Sequence, residues 1–292
     1  MVQILNEYDK ALHDAIHEEM LKSDPSRLLL NPRVEVLKIV KSVIGVPYGN
    51  VADVGCGSGY FAIYLAKNSD QIINVDAIEA SEVAVKNVIP RNAEFHKVLH
   101  KVTPTFGSFD ELLPEKYDFV FAMGALHHSK DLYKTLTIIS KSLKMGGYLV
   151  AQEPAMPDST SHEAYDFKYN IIEEKFGLKI RNGDRFDRFF RECEYKSSLV
   201  HAGFDILLWD DFVGTKRKSN KVWAIFEALV SSIKRDGFGF TLQRVLGKLS
   251  QDTKAKSDSP EWQSDMKSAT SKVMPKIVIA RKSSGCKVYH AE

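Results

Sequence analysis

Apolar residues recur at helical spacing near the start of the chain, with Tyr8, Leu12, Ile16 and Met20 separated by Asp, Lys, His and Glu. That spacing predicts an amphipathic helix over 7–22, ended by Ser23-Asp24-Pro25. A second helix is predicted from Asn31-Pro32, where Asn caps and Pro occupies the first turn, through Val36, Ile39, Val40 and Val43 to Gly45. The pattern then changes to short apolar runs alternating with helical stretches, the sequence form of a parallel sheet with crossover helices. Strands are predicted at Val51–Val54, Ile72–Asp76, Glu94–Val98, Tyr117–Met123, Tyr148–Gln152, Asp205–Trp209 and Lys276–Ala280. Helices are predicted at Tyr60–Lys67, Ser81–Val88 and Asp131–Leu143, and across a longer region from about His162 to His201.

The stretch from Phe212 to Pro275 is too long for a structureless connection. Val222, Ile225, Phe226, Leu229 and Ile233, then Leu242, Val245, Leu246 and Leu249, fall at helical spacing, so two helices are expected there. The fold class is therefore α/β: a mostly parallel seven-stranded sheet with helices on both faces, an N-terminal helical extension and a helical insertion before the last strand. The domain division that follows is 1–45 for N-terminal helices covering the site and 46–212 for the core. The insertion takes 213–275, and 276–292 holds the last core strand and a tail.

Composition changes this picture little, with 44% hydrophobic and 27% charged residues in 292, as in an ordinary globular protein. No apolar run reaches the roughly 20 residues of a membrane-spanning helix. Met1–Lys10 lacks the basic start and apolar block of a secretory signal. Cys56, Cys193 and Cys286 are odd in number and widely separated, which predicts neither disulfides nor a zinc site and suits a reducing cytoplasm. Charge is uneven: residues 213–292 hold 16 Lys and Arg against 7 Asp and Glu, a net +9, whereas residues 1–212 carry a net −7. Such asymmetry attracts anionic partners such as a phosphorylated substrate, nucleic acid or an anionic surface, or it is simply a solvated helical face.

The chemistry gathers around Val51-Ala52-Asp53-Val54-Gly55-Cys56-Gly57-Ser58-Gly59, an apolar strand running into three alternating glycines and a helix. Glycines there let the backbone turn sharply and approach a ligand closely. Tyr60 stands where a dinucleotide fingerprint needs its third glycine, which disfavours NAD and FAD. Asp53 lies two positions before the first glycine, where it can brace the loop or bond a ligand. About 20 residues on, Ile72–Asp76 ends in a carboxylate that suits a ribose diol.

Together with Tyr117-Asp118-Phe119-Val120, Leu126-His127-His128 and Leu143-Lys144-Met145-Gly146-Gly147-Tyr148-Leu149-Val150, these residues make the chain resemble the class I S-adenosylmethionine-dependent methyltransferases over about 34–154. The resemblance implies S-adenosylmethionine as cofactor, with Gly55, Gly57 and Gly59 along its methionine part and Asp76 on its ribose. Asp53, Cys56 and Met123 join this cofactor set. The family's polar contact to adenine after the third strand has no match at His96–His100 and stays unassigned.

Methyl transfer needs an aligned nucleophile and, for some acceptors, a base. His127 and His128 follow the fourth strand and Glu153 ends the fifth, so these three are the catalytic candidates, His127 first as base. No metal is demanded. Arg185 or Arg188 can hold a phosphate or carboxylate, or pair with Asp184 along a helix. The N-terminal helix would close over the cofactor, with Tyr8 or His13 reaching inward. The expected partner is a small polar molecule, such as a sugar, nucleotide sugar or other biosynthetic intermediate; homo-oligomers are compatible with the sequence. Two other readings stay open: an RNA methyltransferase using the basic tail third, and a methyltransferase-like partner subunit without catalysis.

Overall fold

The computed structural model describes residues 14, 16–18, 20–22, 24, 25, 34–159, 189–212 and 274–283. Tyr8, His13, His162, Asp184, Arg185, Arg188, Cys286, His290 and the two helices expected within 213–273 lie outside them.

Helix α1 (Val34–Ile44) turns Val36, Leu37 and Val40 inward, and left-handed Gly45 follows its end. Strand β1 (Gly49–Val54) leads through the glycine loop into α2 (Tyr60–Asn68), and β2 (Ile72–Glu79) follows. A π-helical turn at Ala84–Val88 then runs into α3 (Ile89–Phe95). The remaining elements are β3 (Val102–Phe106), β4 (Tyr117–Met123), α4 (Leu132–Ser142), β5 (Leu143–Ala155), α5 (Glu192–His201), β6 (Phe204–Asp211) and β7 (Met274–Lys282). Asp131 caps α4, accepting from the backbone N–H of Lys134.

Two sequence expectations fail between β2 and β4. Glu94–Val98 is not the third strand: it is the end of α3 and the turn after it, and the strand is Val102–Phe106. Pro90 sits at the start of α3 just past the π turn, so helix continues beyond the expected end at Val88. There the helical hydrogen-bond ladder is already interrupted, so the missing N–H and the bulk of the ring are tolerated. Pro104 within β3 is tolerated because β3 is an edge strand. The second failure is the length of β2, which continues past Asp76 to Glu79.

The seven strands stand in the order β3-β2-β1-β4-β5-β7-β6, all parallel except β7, which is antiparallel to both neighbours. One face buries Val51, Val75, Phe119, Phe121 and Val150 against α1, α2 and α3. The other buries Ala52, Ile78, Val120, Leu149 and Ala280 against α4 and α5. The strand order reverses direction about β1, between β2 and β4, and the crevice beyond the carboxyl ends at such a point is where open α/β sheets bind ligands. The N-terminal segment reaches it: Ser81 Oγ donates to Asp14 (2.6 Å), Arg91 donates to the Leu21 carbonyl (2.6 Å), and His96 Nε2 contacts the Pro25 carbonyl at 3.2 Å. Among the described residues, no helix is long and apolar enough to cross a membrane.

Candidate active site

The backbone around the glycines fixes the site first. Gly55, Gly57 and Gly59 have φ of 67°, 57° and 73°, values that L side chains rarely adopt. Each is there for a different neighbour. A Cβ on Gly55 would meet Ala125 Cβ at 2.7 Å, and one on Gly59 would meet Ile89 Cγ2 at 2.8 Å, so those two permit close packing. Gly57 is open apart from His17, whose Nε2 lies 3.9 Å from the Cβ position.

Glu79 closes the loop from the side. Its carboxylate accepts the N–H of Gly57 (2.8 Å) and of Ser81 (3.0 Å). In the register of the sheet Val54, the last residue of β1, pairs with Ile78, so Glu79 is the first β2 residue beyond the edge. Asp76, expected to hold the ribose hydroxyls, does not line the cavity over the loop. Its side chain lies on the opposite face of β2, where Lys116 Nζ (2.5 Å), the Tyr117 hydroxyl (2.7 Å) and Asn74 (2.6 Å) all donate to it. Burial, reinforced by Asp76, pushes the Tyr117 phenol well above its ordinary range. Asp76 is a structural anchor between β2 and β4.

A cavity of about 290 Å³ lies over this loop, near the lower end of the roughly 300–1,000 Å³ usual for small-molecule sites. Its floor is Val54, Gly55 and Gly57; Glu79 and Ala80 form one wall, and Gly107, Ser108 and Phe109 another. Gly124, Ala125 and His128 close the β4 side, and Ile16 with His17 cover it from the N-terminal segment. Of the residues expected to touch cofactor, Gly55 and Gly57 line the cavity. Cys56 faces the core, where burial, then Asp53 and Glu79, raise its thiol well above normal. Asp53 is buried at the end of β1 behind the loop, outside the cavity wall. Gly59 packs on Ile89, and Met123 is buried between the sheet and α2, so the wall there is Gly124 and Ala125 instead.

Glu153 organises the turn after β4. Buried at the end of β5, it accepts the N–H groups of Ala125 (2.7 Å) and Leu126 (2.8 Å) through one oxygen. Its other oxygen lies 2.8 Å from His127 Nδ1. An ionised carboxylate only accepts, so Nδ1 carries the hydrogen, and in the neutral ring Nε2 keeps its lone pair. The rings of His127 and His128 are 4.1 Å apart, and Phe189 packs edge-on to His127 at 5.8 Å. His127 and Glu153 thus meet as expected, while His128 is the histidine that reaches the cavity wall.

Four contributors were missed by sequence reading: Glu79, the Gly107–Phe109 turn, Ile16 and His17. Gly107, Ser108 and Phe109 directly follow the corrected third strand and line the cavity. Among the described residues, no group of three or more His, Cys, Asp or Glu side chains could hold a metal ion.

A family model for a methyltransferase domain matches residues 7–208. The chain belongs to the class I S-adenosylmethionine-dependent methyltransferases. It is 30% identical over 171 residues to sterol 24-C-methyltransferase of Aspergillus fumigatus, a match covering 58% of this chain and 43% of that enzyme. The chain spans less than half the length of the first curated relatives it matches. Solved structures share the fold. A candidate sarcosine dimethylglycine methyltransferase from Galdieria sulphuraria has a TM-score of 0.55 at 20% identity, covering 85% of this chain and 84% of that one. Phosphoethanolamine N-methyltransferase 2 of Haemonchus contortus, in complex with S-adenosyl-L-methionine, has a TM-score of 0.52 at 18% identity over 86% of this chain and 53% of that one.

The residues present suit that family's cofactor. Gly57 offers a bare backbone on the cavity side, Glu79 presents a hydrogen-bond acceptor beside it, and Phe109 supplies an aromatic face.

Proposed function

We propose that this chain holds S-adenosylmethionine in the cavity under His17 and methylates a small polar acceptor placed beside His127 and His128. Glu79 would accept the ribose hydroxyls and Ser108 with Phe109 would flank the adenine, while Gly55 and Gly57 let the ligand lie against the backbone. The cofactor would supply a methyl carbon made electrophilic by a positive sulfonium. For an acceptor that must lose a proton, His127 is the base. The observation carrying this reading is the 2.8 Å contact between His127 Nδ1 and buried Glu153, which fixes the tautomer and leaves Nε2 able to take a proton. Glu153 acts through His127 as its positioning residue.

In this reading the N-terminal segment (1–45) covers the site on the core (46–212), and 213–275 is an insertion before the last strand and tail at 276–292. A small acceptor suits the enclosed turn of His127, His128 and Phe189 better than a polynucleotide does. The relatives' own names range from a sterol to a tRNA enzyme, so an acceptor panel decides.

The test is release of S-adenosylhomocysteine with sugars, nucleotide sugars, phosphoethanolamine, phenols and tRNA as acceptors. The wild type should turn over a small molecule. His127→Ala should lower kcat by about 10²–10⁴-fold, the usual contribution of a positioned base, while S-adenosylhomocysteine affinity stays within twofold. Unchanged turnover in the variant removes His127 as base, and turnover on tRNA alone replaces the small-acceptor reading.

A further inference from the structure

The parallel strands end at the cavity, so their starts form the opposite pole of the sheet, with the last turns of α1, α2, α3 and α4 that lead into them. That pole leaves bulky apolar side chains in water. Ile73, the residue skipped by the irregular register at the start of β2, is 70% exposed, and Met145, near the start of β5, is 62% exposed. Val46 and Tyr48 before β1 and Leu99 before β3 are exposed too. Val46 follows left-handed Gly45, and Met145 precedes left-handed Gly146; at both glycines a Cβ would meet nothing within 4 Å. These two turns project from the body instead of packing on it, although covering such side chains is worth considerable free energy.

The same pole is basic. Its segments 41–49, 67–73, 95–101, 115–118, 141–147, 203–205 and 281–283 hold nine Lys and Arg against four Asp and Glu, whereas residues 1–212 as a whole carry a net −7. Lys116 pairs with Asp76 and Lys144 with Asp118, while Lys41, Lys67, Lys97 and Lys141 are exposed. Lys41 lines a groove with Val46 and Pro47, and Lys141 ends α4 just before Met145. Aliphatic side chains that project singly with lysines between them match an anionic bilayer surface, where apolar tips enter the headgroup layer and ammonium groups meet lipid anions. A protein partner calls for one continuous apolar core, and a nucleic acid for aromatic faces on which bases stack. Here Tyr48 is packed edge-on to Phe119, and Phe95 edge-on to His96.

We propose that this pole docks the protein reversibly on an anionic lipid bilayer, with Val46, Ile73 and Met145 entering the headgroup layer and Lys41 and Lys141 meeting the lipid anions. The cavity then opens away from the membrane. The docking is independent of which ligand the cavity takes.

Co-sedimentation of the full chain with vesicles tests this. Phosphatidylcholine vesicles containing about 30% phosphatidylserine should retain the protein about tenfold or more better than pure phosphatidylcholine, and raising salt from about 0.1 to about 0.5 M should weaken retention. Two lysines on one helix separate the pole from the rest of the surface. Lys141→Glu, in the last turn of α4, should lower retention about tenfold, and Lys134→Glu, in its first turn, should leave it within about twofold. The double change Ile73→Ser with Met145→Ser should also cost about tenfold or more. All these variants alter exposed side chains and should melt within about 2 °C of the wild type, which shows that they are folded. No retention by the wild type, equal retention on both vesicle types, or equal loss in Lys134→Glu and Lys141→Glu overturns the assignment. A dimer in sedimentation that Met145→Ser dissolves, without vesicle binding, replaces the bilayer with a second copy of the chain.

Discussion

Gly59 shows how one residue can carry a fold without touching a ligand. It precedes α2 in a left-handed conformation, and the space a side chain would need is filled by Ile89. Gly59→Ala should cost about 1–2 kcal/mol for the backbone conformation alone, and the clash with Ile89 adds to it. A melting temperature lower by roughly 4–8 °C is expected, with S-adenosylhomocysteine affinity nearly unchanged because Gly59 is off the cavity wall. A variant that melts like the wild type and binds poorly would reverse that division of labour. The three glycines were legible in the sequence as a sharply turning loop, but their separate neighbours were not. Spacing reports that a backbone must turn; it does not report that Ala125, Ile89 or His17 stands opposite. Asp76 and Glu79 teach the same lesson. Both are acids on one strand three positions apart, and only the register of β2 against β1 tells which side chain emerges at the edge and which is buried with Lys116 and Tyr117.

At the scale of elements, five of the predicted strands and the helices on α2 and α4 were readable because each is a compact apolar run bounded by turn residues. The error at Glu94–Val98 arose where a π turn admits Pro90 and carries helix beyond its expected end. With the strand misplaced, the Gly107–Phe109 turn could not be recognised as part of the site. The same helix end now anchors the N-terminal segment, through the His96 contact to the Pro25 carbonyl. A carbonyl only accepts, so His96 Nε2 carries the hydrogen. Burial holds this ring below its usual pKa of 6.5. A histidine depressed in the folded state leaves the unfolded chain with more bound protons at acid pH. Its contribution is therefore complete above pH 6.5 and lost as pH falls through the lowered pKa. Denaturant unfolding at pH 8 and pH 5 should show a smaller difference for His96→Gln than for the wild type. An equal difference would remove His96 from the acid response.

For the whole molecule, the strand order brings loops distant in sequence to one edge. The ends of β1, β2, β3, β4 and β5 supply Gly57, Glu79, Phe109, His128 and Glu153, and the N-terminal segment adds His17. A Rossmann-like methyltransferase core was visible in the sequence because its motifs are local; the site's closure was not, because it depends on contacts such as Asp14 to Ser81 across 67 positions. In the proposed reading Glu79, rather than Asp76, joins the glycine loop to hold an adenosine-bearing ligand. Calorimetric titration of S-adenosylhomocysteine into the wild type, Glu79→Gln and Asp76→Asn tests it directly. One ligand should bind per wild-type chain, about tenfold or more weaker for Glu79→Gln and within twofold for Asp76→Asn, although the latter melts lower. Full affinity in Glu79→Gln together with its loss in a folded Asp76→Asn would overturn the assignment to Glu79.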